Sequence, residues 1–300
     1  MKKPTLKHLT SFTLESYVQL LKYLKQKYKI VPVCKLSRKD TPHLILRHDI
    51  DYSLPASLTM AQIEKDLNIK STYFVMLSSG LYNLLSENNI DIIQQISKLG
   101  HEIGLHYYPT QYRLYNRNPM KTLEIEIELL EHLLGKKIYS IARHGHWDKD
   151  PFAGIKKYIN ANHPYFRGNL FVHESGRAWT PLQGLARLLN DPPKRVQLLI
   201  HAGNWQEDKI DRVALLERYC QDFKNKISWS KRRFLEYFQT DQLIIDYDNA
   251  VKRGFNHLNC QGTGKCQVKQ NWVRLLRYYL IYTSVGWKLH QLKTRLENVF

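Results

Sequence analysis

Four apolar runs in this chain end the same way. "LILRHDID" (44–51), "EIGLHYY" (102–108), "SIARHGHWD" (140–148) and "LLIHAGNW" (198–205) each pass from aliphatic residues into histidine, arginine or aspartate. A buried carboxylate without a partner costs several kcal/mol. Such ends must therefore share a cation or stand at an exposed rim. In parallel α/β folds the carboxyl ends of the strands converge on one rim, and barrel enzymes place their chemistry there. The repeated ending predicts that arrangement.

The alternation of patterns agrees. Strand-length runs are expected at 43–49, 72–77, 102–107, 139–144, 165–173, 196–201 and 242–248. Helical patterns are expected at 13–27, 57–67, 90–100, 120–135, 150–160 and 208–223, with Thr13 as an N-cap and Gly100 and Gly135 as C-terminal stops. Frequent alternation of this kind implies parallel strands joined by right-handed crossovers. Residues 1–248 are expected to form one domain and 249–300 a basic, aromatic-rich extension.

The net charge of +18 is unevenly spread, because residues 251–300 hold nine basic side chains against one acidic, Glu297. Cations spaced among leucines and aromatics suit a helix lying on an anionic membrane surface. The competing reading is a terminal helix docked on its own domain. No zinc-finger spacing or RNP motif supports a nucleic-acid partner. No window has the length of uncharged apolar sequence that a spanning helix needs, and the start lacks a signal-peptide core. The expected location is the cytoplasm, with the inner membrane face as a peripheral site. The four cysteines are too scattered for a disulfide framework, and Cys260 and Cys266 read as free thiols in a loop, with half a zinc site or a redox pair as the alternatives.

Asp49, Asp51, His48, His106, His144, His146 and His201 supply carboxylates and imidazoles without cysteine. That set suits zinc or another borderline divalent ion, with leftover groups available as general base and acid. Asp49 and Asp51 stand two apart, hence on one side of an extended strand. A cation on one of them relieves their repulsion and leaves the other free as a base. Neither a G-x-S-x-G elbow nor a P-loop or Rossmann fingerprint is present.

"RHDID", then "GHEIGLH" and "LLIH", resemble the motifs of the polysaccharide deacetylase family (the NodB homology domain, carbohydrate esterase family 4) across roughly residues 40–205. The likeness is greatest to its divergent branch in surface-polysaccharide biosynthesis. The resemblance implies a distorted (β/α) barrel of seven or eight mostly parallel strands. It also implies metal-dependent removal of an N- or O-acyl group from a sugar. By the same resemblance Asp49 is the general base, Asp51 and His106 are metal ligands, and His101 supports the fold. Arg143 orients the base, and His201 is the acid that protonates the leaving amine.

One position departs from the family pattern. Thr110 stands where the family has a second histidine ligand. The "RHGH" run offers His144 or His146 as the replacement, His144 being preferred, while His48 should point away from Asp49 and Asp51. The same departure keeps open an inactive barrel that binds glycans or assembles with partners. Tyr108, Trp147 and Trp205 are candidate sugar contacts, and "FVHESGRAW" (171–179) is expected to be a solvated loop.

Overall fold

The computed structural model describes residues 3–36, 42–77, 79–114, 118–145, 150–222 and 224–225. The expected strand at 242–248, the extension 249–300, Cys260 and Cys266 lie outside them, as do His146 and Trp147. The unit that carries the strand tips is Met1–Tyr219.

Its strands are β1 (Lys29–Val31), β2 (His43–Ile50), β3 (Thr72–Val75), β4 (Glu102–Tyr107), β5 (Ser140–Arg143), β6 (Ile159–Asn160), β7 (Leu170–Ser175), β8 (Ala178–Thr180) and β9 (Arg195–Ile200). The helices are α1 (Leu6–Leu9), α2 (Leu14–Lys25), α3 (Leu54–Asp66), α4 (Glu87–Lys98), α5 (Pro109–Leu114), α6 (Pro119–Leu134), α7 (Pro164–Arg167) and α8 (Leu182–Asn190). Residues 212–222 are also helical.

The strands form one curled sheet in the order β6-β5-β4-β3-β2-β9-β7-β8, with β1 beside the first half of β2. Every pairing is parallel except β7 with β8. The sheet is a half-barrel: the alternation predicts its parallel strands, and its form is the distorted (β/α) barrel that the resemblance implies. Thr13 caps α2 in a capping box with Ser16, and Gly135 closes α6 at φ 61°.

Register divides the side chains into two faces. Leu44, Leu46 and Ile50 of β2, with Leu198 and Ile200 of β9 and Leu105 of β4, lie on the outer face under the helices in two large apolar clusters. Arg47 and Asp49 of β2 are level with Thr72 and Phe74 of β3. Gly104 of β4 is level with Phe74, and His106 with Ala142 of β5, all on the concave face. Among the described residues a small apolar plug of Val31, Val33, Ile45, Phe74, Ala142 and Ala161 fills that interior. The concave face is thus left for polar chemistry.

Two expected elements differ. Residues 150–160 are turns leading into β6 because the Asp150 carboxylate accepts from the Tyr107 hydroxyl (2.7 Å) and the Phe152 N–H (2.9 Å). The expected strand 165–173 breaks at Gly168 (φ 68°) into α7 and β7. "FVHESGRAW" is a hairpin, β7–β8, and Glu174 in it is wholly buried. Alternation places Glu174 on the covered face with Val172, which is why it is no solvated loop.

Candidate active site

The concave face of β2 ends in Arg47, Asp49 and, one residue past the strand, Asp51. Arg47 Nε donates to Asp49 Oδ1 at 2.7 Å, and Nη2 to Oδ2 at 2.8 Å. Burial pushes the Asp49 carboxyl up, but the Arg47 guanidinium and the imidazoles of His106 and His201 hold it below the usual range. Asp49 is therefore kept ionised. The resemblance assigned its orientation to Arg143, whereas the guanidinium on Asp49 is that of Arg47. Arg143 is level with Tyr107, and its Nε donates to the Gly145 carbonyl at 3.1 Å.

Three strand tips bring Asp51, His106 and His144 together. Asp51 Oδ1 lies 3.3 Å from His106 Nε2 and 3.3 Å from His144 Nδ1, and the two ring nitrogens are 3.2 Å apart. Tetrahedral zinc with oxygen and nitrogen ligands at about 2.0–2.1 Å has edges of about 3.3 Å. The triangle fits one face of that tetrahedron. Two further observations agree. His106 Nδ1 donates to the Ala142 carbonyl at 3.0 Å, which leaves the Nε2 lone pair facing the triangle. Asp51 Oδ1 is buried with no hydrogen-bond partner of good geometry. Burial raises the Asp51 carboxyl, but His106, His144 and His201 hold it well below its usual range. Burial also lowers His144, and Asp51 and Asp49 outweigh that to raise it.

His201 closes the other side, with Nε2 3.7 Å from Asp51 Oδ2. Its Nδ1 donates to the Glu174 carbonyl oxygen at 2.5 Å. The Glu174 carboxylate accepts the His201 backbone N–H (2.6 Å), the Asn204 amide (2.5 Å) and the Trp205 indole (3.2 Å). Burial alone would lower His201, but Glu174, Asp51 and Asp49 raise it above its ordinary value. Burial pushes the Glu174 carboxyl up to about 7.

His48 points to the outer face, 2.7 Å from Glu64 Oε1 of α3 and stacked on Tyr73. His101 also serves that network, through the Ser71 hydroxyl (3.0 Å) and the Ala61 carbonyl (3.0 Å). Tyr108 sits at the mouth, edge-on to His144 at 4.8 Å. Trp205 is not a sugar platform. It is 2% exposed and packs with Phe12, Tyr17 and Trp179. Residues 202–204 turn as a short 3-10 helix after β9, which carries Trp205 back into the core.

Sequence reasoning missed Arg47, Glu64 and Glu174. Arg47 shares the two-residue period of Asp49 and Asp51. Glu64 falls on the buried stripe of α3 with Ser57 and Ala61, and Glu174 follows Val172 by two. In each case a polar residue stood in a buried periodic position.

Fold and site together define a mostly parallel α/β half-barrel with an Asp-His-His group of metal-ligand geometry at its carboxyl rim. No family model matches the chain, and no curated protein matches it. Among solved structures it is similar to the peptidoglycan deacetylase PdaC from Bacillus subtilis, at 15% identity and a TM-score of 0.39, covering 66% of this chain and 96% of that one. It is similar to the chitin deacetylase of the fungal pathogen Colletotrichum lindemuthianum at 16% identity and a TM-score of 0.38, over 65% and 86% of the two chains. A third likeness is to BA3943, a CE4 family pseudoenzyme from Bacillus anthracis, at 13% identity and a TM-score of 0.37, over 61% and 60%. Among the described residues no helix is long and apolar enough to cross a membrane.

Proposed function

We propose that this chain is a metal-dependent hydrolase that removes an N- or O-acyl group from a carbohydrate. The observation that carries the reading is the juxtaposition of three groups. The Asp51–His106–His144 triangle has an ionised carboxylate, Asp49, on one side and an imidazole of raised proton affinity, His201, on the other. A divalent ion, most simply zinc, held by Asp51, His106 and His144 would polarise the acyl carbonyl and acidify a water.

The side chains supply the proton traffic. Asp49 accepts a proton from the attacking water as its oxygen bonds to the acyl carbon. Arg47 keeps Asp49 ionised until then. As the bond from carbon to the sugar nitrogen or oxygen breaks, His201 delivers its Nε2 proton to the leaving atom. The products are the free acid and the deacylated sugar. His144 takes the place that Thr110 leaves open in the family pattern. Segment 251–300, outside the described residues, remains in this reading a contact to an anionic membrane surface, and the barrel is taken to run to residue 248.

The test is elemental analysis and turnover on N- and O-acetylated saccharides, for the parent chain, Asp51→Ala and Asp49→Asn. The reading expects about one equivalent of metal in the parent and in Asp49→Asn, none in Asp51→Ala, and turnover only in the parent. Turnover retained in Asp49→Asn overturns the base assignment. A parent without metal after zinc loading overturns the hydrolase and favours the inactive, glycan-binding barrel.

A further inference from the structure

Below the strand tips the concave face carries basic side chains, of which the proposed reaction uses only Arg47. Arg47 is level with Leu199 of β9, and Leu199 with His173 of β7, so these three form one row across the floor. His173 stacks on Phe171 (5.3 Å, 28° between planes), and the Arg167 guanidinium lies 5.0 Å over the Phe171 ring. A contiguous path thus runs from Arg167 through Phe171 and His173 towards Arg47, beneath Asp49 and His201. Leu199 is two residues below His201, about 7 Å along a strand.

The turn that aims Arg167 is specific. Gly168 has φ 68°, and a Cβ there would stand 2.7 Å from the Arg195 carbonyl oxygen. Only glycine lets α7 end against β9 at this distance. Phe166, the neighbouring residue, packs on the interior plug.

Arg47 is 1% exposed, and its Nη1, the nitrogen not bonded to Asp49, is buried with no hydrogen-bond partner. Arg167 Nε is likewise buried and unpartnered. No carboxylate among the described residues pairs with Arg167. Burial lowers its proton affinity, and the charges of Arg47 and Arg143 add to that. Half-buried arginines facing like charge are costly unless an anion joins them. Guanidinium groups suit phosphate and carboxylate oxygens.

We propose that Arg167, backed by Arg47 and seated on the Phe171–His173 stack, is a subsite for an oxyanion on the sugar, so that the substrate is an acidic acyl carbohydrate. This rests on the hydrolase reading for the identity of the ligand as a sugar, and the test separates the two. The oxyanion is a phosphate ester or a carboxylate.

The probes are N-acetylglucosamine, its 1-phosphate, and N-acetylmuramic acid, the same sugar bearing a carboxylate. Calorimetric titration into the full chain, Arg167→Ala, Arg167→Lys and Asp51→Ala gives the affinities. One of the acids should bind about tenfold or more tighter than the neutral sugar, as a charge-assisted hydrogen bond implies. The preference should vanish in Arg167→Ala, survive in part in Arg167→Lys and persist in Asp51→Ala. A phosphate preference assigns a sugar phosphate, and a carboxylate preference a uronic or lactyl-bearing sugar. Equal affinities, no measurable binding of either acid, or a preference that outlasts Arg167→Ala would overturn the subsite. Loss of the preference in Asp51→Ala would place the oxyanion on the metal group and overturn it too. Failure of the hydrolase reading would appear instead as absent metal and turnover, with the acid preference intact.

Discussion

Arg47 and Asp49 stand two residues apart on one strand and meet through hydrogen bonds of 2.7 and 2.8 Å, both almost wholly out of water. Removing one partner strands the other charge in the interior. Arg47→Met should therefore lower stability by about 3–5 kcal/mol, read by urea denaturation. The double variant Arg47→Met/Asp49→Asn should recover much of that loss, because the two effects are coupled. A single-variant loss under about 1 kcal/mol, the value of a surface pair, would show that the pair is not held as described.

His144 completes the donor triangle with His106 and Asp51. His144→Ala should lower zinc affinity by two or more orders of magnitude in competition with a chelating indicator. Zinc should raise the Tm of the parent and not that of His144→Ala. Unchanged affinity would transfer the third position to another residue, with His146 the next to replace.

Glu174 is acceptor for the His201 N–H, the Asn204 amide and the Trp205 indole. Glu174→Ala leaves three buried donors unsatisfied, at about 1–3 kcal/mol each. The expected result is a loss of about 3 kcal/mol or more together with a shift in tryptophan emission. The smaller change Glu174→Gln keeps one acceptor. It should preserve the fold while lowering kcat more than it changes KM, since His201 loses part of its seat.

Glu126 on α6 accepts from the Tyr112 hydroxyl, and burial pushes its carboxyl from 4.5 up to about 7. A raised folded value favours the protonated form. Its contribution to stability is full below pH 4.5 and is lost as pH rises through about 7. Glu126→Gln should flatten that part of the stability profile and exceed the parent by about 1–3 kcal/mol above pH 7. Parallel profiles for the two proteins would contradict this.

The strands of the rim were legible because hydrophobic runs of strand length end in charge. The expected 102–107 is β4, and 43–49 falls one residue short of β2. The helices of the outer face followed their apolar period, and 13–27 contains α2. Short elements set by tertiary contacts were not legible. β1, β8 and α8 were unread, and 150–160 carries helical spacing that the Asp150 carboxylate overrides by tying Tyr107 and Phe152.

In the site, the residue types and their common rim could be read from strand endings, whereas partners depended on which element packs behind each strand. Arg47 was legible as a charge at the strand end but not as the partner of Asp49, because the resemblance gave that duty to Arg143. Trp205 looked exposed because it follows a polar tip, yet the turn after β9 folds it inward.

Asp49 and its counter-ion Arg47 belong to the same eight-residue strand. Their pairing needs no other segment to arrive in place, so it is portable. Arg47 is the first of the charges that hold Asp49 ionised, ahead of His106 and His201, so changes at β5 and the loops beyond it leave that pairing in place. That independence gives the β5 end freedom to exchange duties, and a histidine there can become a ligand without disturbing the proton acceptor. In such a layout the donor set at the rim can be altered while the Asp49–Arg47 pair stays as it is.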